Sequence, residues 1–120
     1  MSLSPRILLV EDHIGARDVL SQLLRRFGYE VDSVGTYEAA RAALNCSQFQ
    51  FLLSDLNLPD GDGLHLVREV KRKQDLKAIA ITAHTDDYNS ERAKAAGFDH
   101  YLTKPFDPNE LRSLLGQGAD

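Results

Sequence analysis

Cysteine occurs once in this chain, at Cys46, which excludes an intramolecular disulfide framework and fits a reducing compartment. Positive charge is not in excess either: 14 Lys and Arg stand against 18 Asp and Glu, a formal net charge of −4. Without a basic stripe, the electrostatic footprint of a nucleic-acid binder is missing. No apolar run approaches the roughly 20 residues that a membrane-spanning helix needs. The opening MSLSPRILLV is too short for a signal peptide, and its apolar part reads better as a first strand. Internal repeats and low-complexity segments are absent as well. What remains is 42% hydrophobic and 27% charged, the make-up of a soluble globular protein, and a cytoplasmic location is expected. Its 120 residues suffice for one domain, residues 1–120 with a core over about 6–115, and no effector domain is expected to follow.

Strand-like and helix-like patterns alternate throughout. Arg6-Ile7-Leu8-Leu9-Val10 is a continuous apolar run, as in a strand covered on both faces. Leu20, Leu23, Leu24 and Phe27 form one helical stripe, and Gly28 stands where a helix-ending glycine belongs. Glu30 to Val34 is a more polar strand, expected at a sheet edge. Thr36 is suited to cap a helix running to about Asn45, with Tyr37, Ala40 and Leu44 on one face. Phe49 to Ser54 reads as a third strand leading into Asp55, followed by a helix from Gly63 to about Lys73. Ala78 to Thr82 is a fourth strand, Tyr88 to Ala96 a weakly amphipathic helix closed by Gly97, and His100 to Leu102 a short fifth strand. Asp107-Pro108-Asn109-Glu110 combines cap acceptor, first-turn proline and third-position glutamate, a helix start with Leu111, Leu114 and Leu115 behind it. Five such β-α units imply a doubly wound parallel sheet, because each crossover is right-handed and needs its own helix.

Ligands of such sheets sit beyond the carboxyl ends of the strands, near the point where strand order reverses. Beyond the first strand come Glu11 and Asp12, beyond the third Asp55, at the end of the fourth Thr82, and beyond the fifth Lys104-Pro105. Each has an ordinary role when taken singly. Adjacent acids suit a solvated helix N-terminus, a strand-ending Asp forms turns, Thr has β propensity, and Lys is mostly a surface residue. Together they place three carboxylates, a hydroxyl and an ammonium on one rim. Hard oxygen ligands of this kind suit Mg²⁺ beside a phosphate, with the lysine and the hydroxyl on the anion. His13 reads as a helix-start residue, His65 and His100 as surface residues, and Cys46 as filler at a helix end. Asp60 and Asp62 read as turn formers around Gly61, Asp62 also as a cap for the third helix.

The segments LLVED, LLSDLNLPDGDGL, AIAITA and DHYLTKPF, in that order and each closing a strand, resemble the receiver domain of two-component response regulators from Arg6 to Leu115. The resemblance implies a flavodoxin-like strand order 2-1-3-4-5 with five helices on both faces. It implies Asp55 as phosphoacceptor, and Mg²⁺ (or Mn²⁺) held by Asp12 and Asp55, by the backbone carbonyl of Asn57, and by Glu11 mostly through water. Thr82 is similar to the switch hydroxyl, Lys104 to the phosphate-pairing lysine, Tyr101 to the aromatic switch, and Lys104-Pro105 to the family's cis peptide. Asn57 and His84 stand where the family tunes the lifetime of the acyl phosphate. The implied phosphodonor is a sensor histidine kinase or a histidine phosphotransfer protein. The implied output is a change of the surface made by the fourth helix, fifth strand and fifth helix, through which a phosphorylation-dependent dimer is a further expectation. The wording LPDGDGL and DHYLTKPF looks more like receivers joined to hybrid sensor kinases, which would tether the domain to a membrane kinase. Catalysis is expected only as weak self-phosphorylation and self-dephosphorylation.

Two rivals are readable in the same residues. A small phosphatase with an aspartyl nucleophile needs a second acid two residues on, where Asn57 stands and cannot transfer a proton in that role. A flavodoxin-like cofactor binder needs a phosphate-cradling loop after the first strand, where Glu11 and Asp12 would repel an FMN phosphate.

Overall fold

A computed structural model describes residues 5–83 and 87–116. Five parallel strands make one sheet: β1 (Arg6–Val10), β2 (Glu30–Val34), β3 (Phe51–Asp55), β4 (Lys77–Thr82) and β5 (His100–Thr103). Their spatial order is β2-β1-β3-β4-β5, the expected flavodoxin-like arrangement, with polar β2 at an edge. Helices α1 (Ile14–Arg26), α2 (Tyr37–Cys46), α3 (Gly63–Lys73), α4 (Asp87–Ala96) and α5 (Pro108–Gly116) make the crossovers and the chain's last described element.

The pleat sorts the strand residues into two cores, since successive side chains point to opposite faces. Leu8, Val10, Leu52, Ala78 and Ala80 pack with Ala40 and Leu44 of α2, Leu66, Val67 and Val70 of α3, and Ala93 and Ala96 of α4. Ile7, Leu9, Phe51, Leu53, Ile79, Ile81 and Leu102 pack with Leu20 and Leu24 of α1 and Leu111 and Leu115 of α5. Both faces of the three central strands are therefore dry, which is why those strands read as unbroken apolar runs. Small residues in β4 admit α3 and α4 close to the sheet.

Helix ends follow their local chemistry. Gly28 adopts φ 99°; its N–H donates to Arg25 O (3.0 Å), and that of Tyr29 donates to Leu24 O (3.2 Å). Gly97 repeats the motif at φ 126°, its N–H donating to Lys94 O and that of Phe98 to Ala93 O. Both are the paired bonds of a glycine-closed helix end, and a side chain would strain either position. His13 caps α1, its Nδ1 accepting from Ala16 N–H at 3.4 Å, and Asp62 caps α3 through Leu64 N–H at 2.8 Å. Cys46 is exposed at the end of α2.

Two readings need correction and one needs extending. The third strand begins at Phe51, because Phe49 N–H donates to Gln74 Oε1 (2.9 Å) instead of entering the sheet. Asp60 does stand in the tight turn Pro59–Asp60, and its role is wider than the turn: its carboxylate accepts from Tyr37 and Glu38 N–H at the start of α2. His100 is not a plain surface residue, since its Nε2 is buried with no hydrogen-bond partner among the described residues.

Candidate functional site

The order β2-β1-β3 reverses the direction of winding at β1 and β3, which opens a crevice beyond their carboxyl ends. Register sets what lines it. Val10 pairs with Ser54, so Glu11 and Asp12 leave β1 level with Asp55, the last residue of β3. Ligating oxygens of Glu11, Asp12 and Asp55 all lie within 4.8 Å of one another. Glu11 is 1% exposed, Asp55 half-buried and Asp12 exposed, so the cluster grades from interior to solvent.

Lys104 enters from the loop after β5, where the Lys104–Pro105 peptide bond is cis and Lys104 N–H donates to Thr82 O at 2.7 Å. Its Nζ lies 2.5 Å from Glu11 Oε1 and 3.3 Å from Asp55 Oδ2. Burial works against the ammonium, yet the hydrogen bond to Glu11 and the charge of Asp55 outweigh it, and the pKa stands above the usual lysine value. The other Asp55 oxygen, Oδ1, accepts from Asn57 N–H at 3.2 Å. Both oxygens of the carboxylate thus have a partner. The remaining Glu11 oxygen accepts from His13 N–H at 3.2 Å.

Thr82 is wholly buried at the end of β4. Tyr101 is half-buried and packs on the same face, its register partner being Ala80. His84, expected with Asn57 to tune the acyl phosphate, lies outside the described residues. Two residues of the site had no sequence signal that singled them out. Arg17 Nη1 donates to Glu11 O (3.3 Å) across Gly35, where an added Cβ would come within 2.2 Å of that nitrogen. Gly63 lets the loop close on the site: its N–H donates to Leu56 O (2.9 Å), and a Cβ there would lie 2.4 Å from Asp55 O. Glycines in a phosphoacceptor-like loop point to such close approaches, but only the coordinates name the atom approached.

Three hard carboxylates facing one ammonium leave the crevice short of positive charge and suited to a small divalent cation and an anion together. The family model described as response regulator receiver domain matches residues 7–116, and the chain belongs to that family. It is 35% identical over 118 residues to the transcriptional regulatory protein AruR of Pseudomonas aeruginosa, covering 94% of this chain and 48% of AruR. The chain thus spans about half the length of that relative. A CheY-like receiver domain protein from Methanospirillum hungatei JF-1 superposes with a TM-score of 0.89 at 31% identity, covering 96% of this chain and 93% of the other. The receiver domain of the sensor histidine kinase PA1611 from P. aeruginosa PAO1, solved with magnesium coordinated in its active-site cleft, gives 0.84 at 32% identity over 96% and 97%. The chain is a receiver, the phosphoacceptor module of two-component signalling, and no enzyme family is indicated. Among the described residues no helix is long and apolar enough to cross a membrane.

Proposed function

We propose that Asp55 is the phosphoacceptor, taking a phosphoryl group from a phosphohistidine on a sensor kinase or a histidine phosphotransfer protein. The observation that carries this reading is the position of Asp55: beside Glu11 and Asp12 and 3.3 Å from the Lys104 ammonium. One Asp55 oxygen attacks phosphorus, the P–N bond to the imidazole breaks, and the imidazole takes the bonding pair and is protonated. The transfer asks little covalent chemistry of the protein beyond in-line placement and compensation of charge on three oxygens. Asn57 N–H orients the carboxylate, and Lys104 exchanges its contact with Asp55 for one with the phosphoryl oxygens.

The donor set fits Mg²⁺ or Mn²⁺, with Asp12 and Asp55 as carboxylate ligands, Asn57 offering its backbone carbonyl, and Glu11 acting through water because Lys104 already occupies one of its oxygens. When bound, the ion neutralises charge on the carboxylates and on the phosphoryl group. The Thr82 hydroxyl turns toward the acyl phosphate, and Tyr101 follows into the space beside β4. The surface of α4, β5 and α5 is thereby biased between two states, and it is the surface assigned to downstream contact or to a phosphorylation-dependent dimer. Asn57 and His84 tune hydrolysis of the acyl phosphate, the domain's own weak catalysis. The setting is cytoplasmic. A phosphatase is the weaker reading, because Asn57 stands where its acid would be needed and the family matched is a signalling one.

The test is labelling by phosphoramidate with Mg²⁺. One phosphoryl group per chain, lost in Asp55→Asn, is the expected result. Sustained turnover, or labelling that persists in Asp55→Asn, would overturn the assignment.

A further inference from the structure

The segment after Asp55 folds back as a two-residue ladder, Asn57–Leu58 against Gly61–Asp62. A ribbon of that size does not hold its own shape in water. Its tip is anchored elsewhere. The Asp60 carboxylate accepts from Tyr37 N–H at 2.7 Å and from Glu38 N–H at 3.2 Å, first-turn groups of α2 that have no acceptor within their helix. Gly61 lies flat on Tyr37, so that a Cβ there would fall within 2.7, 2.8 and 2.9 Å of three of its atoms. Tyr37 is itself fixed: it is 8% exposed, and its hydroxyl donates to Glu69 of α3. Glu69 is held in turn by Arg41 Nε at 3.2 Å and His65 Nε2 at 3.1 Å.

The other end of the ladder is the site. Asn57 N–H meets Asp55 Oδ1 at 3.2 Å, and Gly63 is pressed against the Asp55 carbonyl. A chain of short contacts therefore runs from α3 through Tyr37 and Asp60 to the residue beside Asp55. We propose that Asp60 and Tyr37 are positioning residues of the Asp55 site, pinning the ladder tip to α2 so that the Asn57 backbone and the Asp55 carboxylate face the cation and the phosphoryl group correctly. The inference deepens the reading of Asp55 given above and rests on it. Groups that orient ligands without touching the metal are known to govern affinity strongly. A plain helix cap, by contrast, changes stability and leaves the folded site as it was.

The experiment measures Mg²⁺ affinity by calorimetry and the rate of phosphoramidate labelling at saturating Mg²⁺, in the full chain. Asp60→Ala is expected to weaken Mg²⁺ binding by about 10-fold, the scale of losses when an orienting group goes, and to slow labelling. Asp60→Asn keeps an acceptor for Tyr37 N–H and recovers most of both. Tyr37→Phe keeps the ring under Gly61 and stays near the parent, whereas Tyr37→Leu follows Asp60→Ala. Should Asp60→Ala fail to fold, Tyr37→Leu carries the same comparison. Folded variants with parental Mg²⁺ affinity and labelling rate overturn the proposal. If Asp55→Asn abolishes labelling while those variants match the parent, only the positioning claim falls; if Asp55→Asn is still labelled, the underlying reading falls first.

Discussion

Lys104 and Glu11, 93 positions apart in the chain, are joined by an ion pair of 2.5 Å, and the carboxylate partner is 1% exposed. The same ammonium lies 3.3 Å from Asp55. Glu11 gives the lysine a permanent anchor, so its charge stays at the crevice while the contact to Asp55 is free to be exchanged. A buried acid of this kind is retained only because a cation accompanies it.

Lys104→Met should separate these roles. Loss of the cation leaves the Glu11 carboxylate buried and uncompensated, a cost of about 3–5 kcal/mol on the usual scale for a buried pair that loses one partner. The acid cluster then loses its competing internal cation, so Mg²⁺ should bind more tightly even as labelling of Asp55 slows. Urea unfolding and calorimetric titration check the two halves. Weaker Mg²⁺ binding in the variant would show that Lys104 organises the carboxylates instead of competing for them.

Gly63 and Gly15 make a matched pair. An added Cβ at Gly63 would lie 2.4 Å from Asp55 O, so backbone must move, whereas at Gly15, inside α1, it would meet the His13 ring at an ordinary 3.6 Å. Gly63→Ala should cost about 1–3 kcal/mol, as overpacking does, and should also weaken Mg²⁺ binding. Gly15→Ala should be neutral or stabilising by up to about 0.5–1 kcal/mol through its helix propensity. Thermal unfolding of both variants, compared with the parent, decides the matter.

How much of this was legible beforehand depends on the range of each interaction. Strands β1 and β4 and helix α3 announced themselves because burial on both faces, or on one stripe, writes a continuous local pattern; α3 runs from Gly63 to Lys73 as its spacing implied. The caps by Asp62 and the closures by Gly28 and Gly97 are local chemistry too. The acids and the lysine could be gathered on paper because a parallel sheet puts all strand ends on one rim. What escaped was side-chain-to-backbone bonding over long separations. Gln74 is buried, accepting from Phe49 N–H and donating to Leu44 O and Ser47 O, partners 25 to 30 positions away. The bond from Tyr37 N–H to Asp60, 23 positions apart, is of the same kind. No periodicity records such pairings.

Asp99 joins α3 to the start of β5: its carboxylate meets Lys71 Nζ at 2.8 Å and accepts from Ala78 N–H at 2.8 Å. Burial raises its pKa, but the hydrogen bonds from Lys71 and Ala78 outweigh that, and the net direction is downward from 3.8. A lowered native pKa means that the unfolded chain takes up the proton first. The contribution is therefore complete above pH 3.8 and is lost as pH falls through the lower native value. Asp99→Asn should cost little at pH 7, about 0.2–1 kcal/mol for a partly exposed pair, and should flatten the acid limb of the stability profile. Urea midpoints of the parent and the variant from pH 2 to pH 7 measure it; profiles that stay parallel below pH 3.8 would refute the assignment.

Tyr37 sets the opposite limb. Burial first, and then the hydrogen bond it donates to Glu69, push its phenol from 10.0 up to about 12. In the unfolded chain the phenol ionises near its ordinary value, so between pH 10 and 12 it is the unfolded state that gives up the proton. The stabilising contribution is complete below pH 10 and drains away as pH rises toward 12. Lys104 and Tyr29, also raised, lose their contributions on the alkaline side too, so the parent alone cannot separate the three. Tyr37→Phe does so: the ring stays beneath Gly61, Lys104 is untouched, and only the ionisable hydroxyl goes. The variant should be modestly less stable at pH 7, by about 0.5–1.5 kcal/mol for a lost hydrogen bond, and the gap to the parent should close between pH 10 and 12. Phenolate absorbance should lose a component that titrates at about pH 12 in the same variant. A gap that stays constant across that window would mean that Tyr37 ionises as it does in the unfolded chain, and that Glu69 is held by Arg41 and His65 without it.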